Sequence, residues 1–344
     1  MSNSTVPRSR AEADEERKTP AASGDAAGPG KARTSGKLSL RIRFRRDRVL
    51  LLMTLPAVLL VLLFNYVPIL GNVVAFQDYD PYVSDNGVVS ILHSPWVGLE
   101  NFQRLFEDSA FWSAVQNTLL LFFLQLVLYF PIPILLALLI NSVVRPRVRA
   151  VSQAILYLPH FFSWVLVIAV FQQLFGGAGI LSQLLRMHGY DGIDIMTDPD
   201  TFKFLITAQS VWKDAGWGII VFLAALASVN PDLYEAAAMD GANRWRRMWH
   251  VTLPALRPVI ALLLVLRVGD ALTVGFEQIL LQRDAVGPGA SEVLDTFVWW
   301  NGVRNQDFGY AAAAGLIKGV ISLGLVLVAN KVAHLMGEQG VYKK

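Results

Sequence analysis

The chain contains no cysteine, which excludes disulfides, thiolate metal sites and cysteine nucleophiles. Its five histidines, His93, His160, His188, His250 and His334, are too scattered to form a local metal motif. No metal or cofactor is therefore expected on the chain itself. The sequence has no H-E-x-x-H and no G-x-S-x-G signature, and so points away from an enzyme; no nucleic-acid partner is expected either. Charge is also scarce. Only 17% of residues are charged, against roughly 25% in soluble domains. Residues 1–36 are polar and lack the apolar core of a cleavable signal peptide. They bury too little apolar surface to fold alone, and are expected to form a disordered tail, followed by a basic juxtamembrane segment at 37–48.

Apolar sequence, by contrast, is abundant. Hydrophobic residues make up 54% of the chain and the mean hydropathy is +0.44. Runs of about 20 apolar residues span a bilayer core about 30 Å thick. Six such runs occur, at about 49–76, 111–140, 150–175, 204–228, 256–281 and 310–335. Pro131 and Pro133 fall inside the second and should kink it. The expected fold is all-α, a polytopic membrane protein with six transmembrane helices. Residues 49–110 hold the first span and an outer loop, and 111–344 a core domain with the other five.

Lys and Arg set the orientation. One side carries six between Lys37 and Arg48, three between Arg145 and Arg149, four between Arg244 and Arg257, and then Lys331, Lys343 and Lys344. The opposite loops carry only Arg104, Arg186, Lys203, Arg283 and Arg304. The positive-inside rule places the richer side, with both termini, in the cytoplasm. An even number of spans requires the same. The expected location is the bacterial plasma (inner) membrane, with lipid as the surrounding partner.

The largest inner loop, 229–258, joins the fourth and fifth runs. Asn230 suits an N-cap, Pro231 the first helical position, and Asp232 the positive end of a helix dipole. Alanines then favour a short helix, which Gly241 can end in a left-handed conformation. A second short helix is predicted from Arg244 to Val251, with Leu253-Pro254 closing the unit before the fifth span. Leu233, Tyr234, Met239, Trp245, Met248 and Trp249 are large apolar residues outside the membrane, and such residues need a partner surface or the membrane interface; a protein-docking helix pair is the better account, with interfacial anchoring by Trp245 and Trp249 the alternative.

This loop resembles the EAA loop of binding-protein-dependent ABC importer permeases, E-A-A-x3-G-x9-I-x-L-P. Glu235-Ala236-Ala237, Gly241 and Leu253-Pro254 match it, with Val251 where Ile is usual. Tyr157-Leu158-Pro159-His160-Phe161, Trp212-Lys213-Asp214-Ala215-Gly216-Trp217-Gly218 and Gly275-Phe276-Glu277-Gln278-Ile279-Leu280-Leu281 extend the similarity to the carbohydrate- and oligosaccharide-importing, LplB-like subfamily, over about 48–342. The resemblance implies a MetI-like permease fold and one half of a translocation pore. It further implies a second homologous permease subunit, a cytoplasmic ABC ATPase dimer that holds the ATP and Mg, and an extracytoplasmic sugar-binding protein. By position, Glu235 pairs with a basic group on the ATPase and Gly241 permits the turn. Leu233, Ala236, Ala237 and Met239 fill the ATPase cleft, with Asp240, Leu253 and Pro254 completing the coupling set.

Charges inside apolar runs are costly and face a cavity or a partner. Arg267, Asp270 and Glu277 in the fifth run and Lys318 in the sixth are read as an internal polar network. Asp270 and Glu277 are expected on one helix face, with Arg267 or Lys318 paired to Asp270. Lys213 and Asp214 are flanked by Trp212 and Trp217, and aromatic faces beside hydrogen-bonding charges suit sugars. These four, with Gln278, are candidates for a substrate pathway; anchoring of the tryptophans at the membrane interface is the alternative. An ion-coupled secondary transporter using Asp214, Asp270 or Glu277 is the alternative function, although the inverted repeats of many such transporters are absent.

Overall fold

The structure, a computed structural model, describes residues 48–335. The tail at 1–36, the basic segment at 37–48 apart from Arg48, and Lys343 and Lys344 lie outside the described residues. The chain divides into two units, residues 1–62 and 63–344. The described part of the first is the helix Arg48–Val61, none of whose residues is buried. A helix that is hydrophobic all round and exposed requires an apolar surrounding.

The second unit is almost entirely helical. Among the described residues there is no strand, only an isolated bridge between Gln77 and Trp96. Six helices are long and apolar enough to cross a membrane: Arg48–Phe76, Ser109–Asn141, Trp164–Met187, Phe202–Ala227, Arg244–Gly269 and Phe308–Leu335. They are called spans one to six below. The all-α, six-span architecture is the one expected; several boundaries are not.

Beyond the first run, which holds a π turn at Leu62–Tyr66, three more are interrupted, each for a local reason. The run at 150–175 is two helices, Pro146–Tyr157 and Trp164–Phe175, joined by a 3₁₀ turn at Leu158–Phe161. Pro159 has no N–H to continue the first helix, and Ser163 caps the second by accepting from Leu166 N at 3.4 Å. The third span accordingly sits further along the chain, and itself bends where Gly176–Gly179 separates two helices. In span two, a π turn at Gln125–Tyr129 precedes Pro131, and the amide of Phe130 donates to Gln125 O at 2.9 Å. The expected effect of Pro131 on this run is thus met by a π turn just before it.

The run at 256–281 is the largest correction. Its helix ends at Gly269, and a new helix, Phe276–Leu280, begins after Gly275 at φ +65°, a conformation that favours glycine. Asp270 and Glu277 therefore do not share a helix face. The loop's second helix is also longer than expected. Arg244–Arg247 continues through a π turn, Met248–Thr252, into Leu253–Gly269. Leu253-Pro254 thus lies inside span five and does not close the loop.

Span four is the centre of packing. Ile219, Phe222, Leu223 and Leu226 pack with Ala137 and Ile140 of span two and Leu256 of span five. Towards its start, Phe202 and Ile206 pack with Leu121, Phe122 and Ile279. At the side opposite the 229–258 loop, Arg104 pairs with Asp307 at 2.8 Å, which holds its guanidinium above the usual range. The Tyr310 hydroxyl donates to Asp108 at 2.6 Å nearby. Gly216 lets span four meet the preceding helix, because a Cβ there would stand 1.8 Å from the carbonyl oxygen of Leu156. We predict that Gly216→Ala destabilises the protein by about 3 kcal/mol through overpacking. Gly315→Ala, which meets open space, is expected to be neutral. Thermal unfolding in detergent checks this; equal midpoints for both variants would refute the close approach.

Candidate functional site

Two groups of side chains stand out, one in the loop and one within the spans. In the loop, Asn230 Oδ1 accepts from Asp232 N at 3.0 Å and starts the helix Pro231–Met239. At its end Ala242 N donates to Ala237 O at 2.9 Å, and Gly241 N to Ala238 O at 3.0 Å, with Gly241 at φ +71°. This is a Schellman termination, which needs the left-handed residue that glycine supplies. Asn243 then caps the next helix by accepting from Arg246 N at 2.9 Å. The Tyr234 hydroxyl and Thr252 Oγ1 lie 3.1 Å apart and bond the first helix to the second.

The loop leaves its large apolar residues uncovered. Leu233, Met239, Trp245 and Trp249 are exposed, Met239 at 90%. Glu235, Ala236 and Asp240 are exposed as well, Ala237 is half-buried, and Leu253 and Pro254 are half-buried within span five. Glu235 forms no ion pair among the described residues, so its carboxylate is open to an external cation. The sequence-predicted loop residues thus lie together on the helix Pro231–Met239 and the turn that ends it, except Leu253 and Pro254, which lie further along the second helix, within span five.

The second group lies on span four and the 3₁₀ turn at Leu158–Phe161. His160 Nδ1 is 2.8 Å from Asp214 Oδ1, and the imidazole stacks on Trp217 with ring centroids 4.5 Å apart. Lys213 is only 7% exposed. Its Nζ donates to His160 O at 2.7 Å and stands 3.9 Å from Asp214. Trp212 contacts Phe171 edge-on and Phe162 and is 39% exposed, and Trp217 is 50% exposed. His160 and Phe161 complete this group. Neither was singled out as a site residue, because 54 residues separate His160 from Asp214 and no local spacing links them.

Gln278 does not join that group. It is 0% exposed, and its Nε2 donates to Gln209 Oε1 at 2.7 Å and to Ile206 O at 2.9 Å. Gln282 and Ser210 complete this buried amide cluster. The polar network within the spans is also rearranged. Lys318 pairs with Asp295 rather than Asp270. Arg267 donates to Gln125 and lies over the Tyr129 ring. Asp270 and Glu277 are exposed, and neither forms an ion pair among the described residues. Asp295, Gln125 and Tyr129 escaped the sequence reading because their partners are remote in the chain. No group of three or more His, Asp or Glu residues among the described residues is placed to hold a metal ion.

Comparison with known proteins agrees with this layout. Residues 129–336 match the family of binding-protein-dependent transport system inner membrane components. The chain is 43% identical over 304 residues to the polygalacturonan/rhamnogalacturonan transport system permease protein YteP of Bacillus subtilis (strain 168), covering 88% of this chain and 93% of that protein. It is 39% identical over 311 residues to Protein LplB of the same organism, covering 90% and 96%. Among solved structures, a bacterial ABC transporter involved in import of the acidic polysaccharide alginate superposes with a TM-score of 0.78 at 37% identity, covering 86% of this chain and 98% of that one. A bacterial alginate ABC transporter in complex with an alginate pentasaccharide-bound periplasmic protein gives a TM-score of 0.79 at 37% identity, over 88% and 99%. The chain therefore belongs to the binding-protein-dependent ABC importer permeases: it is a multi-pass transport permease of the MetI-like fold, not an enzyme.

Proposed function

We propose that the chain forms half of the translocation pore of an ATP-driven importer for an oligosaccharide, driven through the helix pair at 231–252. A cytoplasmic ATPase dimer supplies the ATP and Mg, a second homologous permease supplies the other half of the pore, and an extracytoplasmic binding protein delivers the sugar. Both termini face the cytoplasm, as the Lys and Arg distribution requires. The observation that carries the coupling is continuity. The docking surface includes Leu233, Met239, Trp245 and Trp249, and the helix bearing the two tryptophans runs on as span five, Arg244–Gly269. A force on the loop is therefore a force on a span. Coupling of this kind needs two global states and a mechanical contact between sites.

Support for the cargo comes from the relatives. YteP is named for polygalacturonan and rhamnogalacturonan, and the structural neighbours for alginate, an acidic polysaccharide. We assign the cargo to the same class, oligosaccharides bearing carboxylates. Trp217, His160, Asp214 and Lys213 line its path, since a ring face beside a carboxylate and an imidazole suits a sugar's C–H face and hydroxyl edge. The ion-coupled alternative gains nothing from the family match.

Two outcomes are expected. Gly241→Trp forces a bulky residue into a φ of +71°, which costs about 1–2 kcal/mol locally, and obstructs the docking face. ATP-dependent uptake by the reconstituted complex is predicted to fall at least about tenfold, against a protein amount in the membrane near that of the wild type; normal uptake and ATPase binding would sink the coupling role. Trp217→Ala is predicted to lower uptake several-fold at limiting sugar, and Trp212→Ala to act through lost packing against Phe171 and Phe162. If Trp217→Ala transports like the wild type at limiting sugar, Trp217 is an interfacial anchor.

A further inference from the structure

The cations near the membrane interior differ in how they are neutralised. Lys318 is paired with Asp295. Arg283 is paired with Glu292 at 2.5 Å and covers the Trp300 ring at 3.7 Å. Lys213 donates to a carbonyl and has Asp214 within 3.9 Å. Arg267 is in a different position. Its Nη2 donates to the uncharged Gln125 Oε1, and its guanidinium carbon stands 5.7 Å from the Tyr129 ring centroid. Its Nε is buried with no partner, and among the described residues no carboxylate lies within ion-pair distance of it. Asp270, three residues on, is close enough to be felt electrostatically but forms no ion pair.

An arginine without a counter-charge in a span is expensive, and such residues mark substrate pathways. Its planar fork also matches a carboxylate geometrically, by two parallel hydrogen bonds. Position connects it with the cargo path. The Tyr129 ring lies against Arg267, and the π turn that carries Tyr129 packs on span four, the helix of Asp214 and Trp217. The Asp214 carboxylate, which would repel an anion, is already engaged by His160 and Lys213.

We infer that Arg267 is a specificity-determining residue: it receives the carboxylate of a uronate unit as the oligosaccharide passes Trp217. Gln125 and Tyr129, both on the π turn of span two, hold the guanidinium in place. A neutral sugar leaves that guanidinium without a counter-charge, so the discriminating group is the carboxylate rather than the ring. The inference rests on the import of carboxylate-bearing oligosaccharides proposed above.

The test uses the complete transporter in proteoliposomes, with its partner permease, ATPase and binding protein. The cargoes are trigalacturonate and its fully methyl-esterified form, at limiting concentration. For each cargo the variant's rate is divided by the wild type's, which cancels any preference of the binding protein. Arg267→Gln is expected to lower uptake of the acid about tenfold, the effect of losing a charge-assisted pair, and of the ester less than about twofold on the same reasoning. Arg267→Lys, which keeps the charge without the fork, should fall between the two for the acid. ATPase stimulation by the binding protein checks assembly, and the Lys variant decides the matter if the Gln variant fails to assemble. An equal fall for acid and ester would show a structural role and overturn the inference, as would no change for either. If the wild type takes up the ester but not the acid, Arg267 has no carboxylate to receive and the inference fails while sugar import stands. If it takes up neither, the import reading itself fails, and this inference with it.

Discussion

Hydrocarbon gives the backbone no hydrogen-bond partner, so every interruption of a span has to be repaired inside the protein. The repairs here are specific. Phe130 N reaches back five residues to Gln125 O at 2.9 Å ahead of Pro131. Leu253 N does the same to Met248 O ahead of Pro254. Beyond Gly269, Thr273 N donates to Asp270 O at 2.9 Å, and Ile279 N to Gly275 O at 2.9 Å. Each proline lacks the N–H that a regular helix would use there, and the π turn widens the helix to accommodate its ring. These repairs also decide where polar side chains go. Gln125 and Tyr129 bound one π turn, His160 lies on the 3₁₀ turn at Leu158–Phe161, and Asp270 begins the break after span five. Part of the polar interior of this protein is thus built at the irregularities of its helices, and the rest, Gln209, Lys213 and Asp214 among it, on the regular helix of span four.

The same constraint shapes the loop. A proline at 254 is expected to separate a loop helix from a span, since it cannot sit in a regular helix interior. The π turn at Met248–Thr252 removes that obstacle and joins the two pieces. The Tyr234–Thr252 bond then ties the first loop helix to this junction. Deformation of the loop is consequently resisted at both ends, by the Schellman turn at Gly241 and by the hydroxyl pair at the π turn. A flexible hinge would dissipate motion of a docked partner; under the proposed coupling this arrangement would pass it on.

What the sequence made legible was local or periodic. Apolar runs announced six spans, and Asn230, Pro231 and Gly241 announced the first loop helix, because capping chemistry is confined to a few neighbouring residues. The glutamate, glycine and Leu-Pro spacing gave the family. What escaped was decided across the chain. His160 finds Asp214 through the packing of the turn at Leu158–Phe161 on span four, and Lys318 finds Asp295 23 residues away. Gln278 carried the same polar label as Asp214 in the sequence, yet is satisfied by Gln209 and Ile206 and fully buried. The seven-residue spacing of Asp270 and Glu277 implied a shared face only so long as the helix continued, and Gly275 ends that premise. Periodicity is a valid argument within one helix and silent about where the helix stops.

The loop and the polar interior meet on span five. Trp245 and Trp249 lie at one end of Arg244–Gly269, and Arg267 at the other. At 1.5 Å per residue, about 33 Å of helix separates Trp245 from Arg267. On the proposed reading, a single element bears the surface offered to the motor and a charge offered to the cargo. Equilibrium coupling between two sites is reciprocal: if displacement of the loop alters what surrounds Arg267, then occupation of Arg267 alters the position the loop prefers. The arginine is anchored through Gln125 and Tyr129 to span two, not to its own helix alone. Movement of span five relative to span two would therefore act on that anchorage as well as on the apolar contacts of Leu256 with Ala137 and Ile140. Cargo recognition and drive are on this account two readings of one helix position.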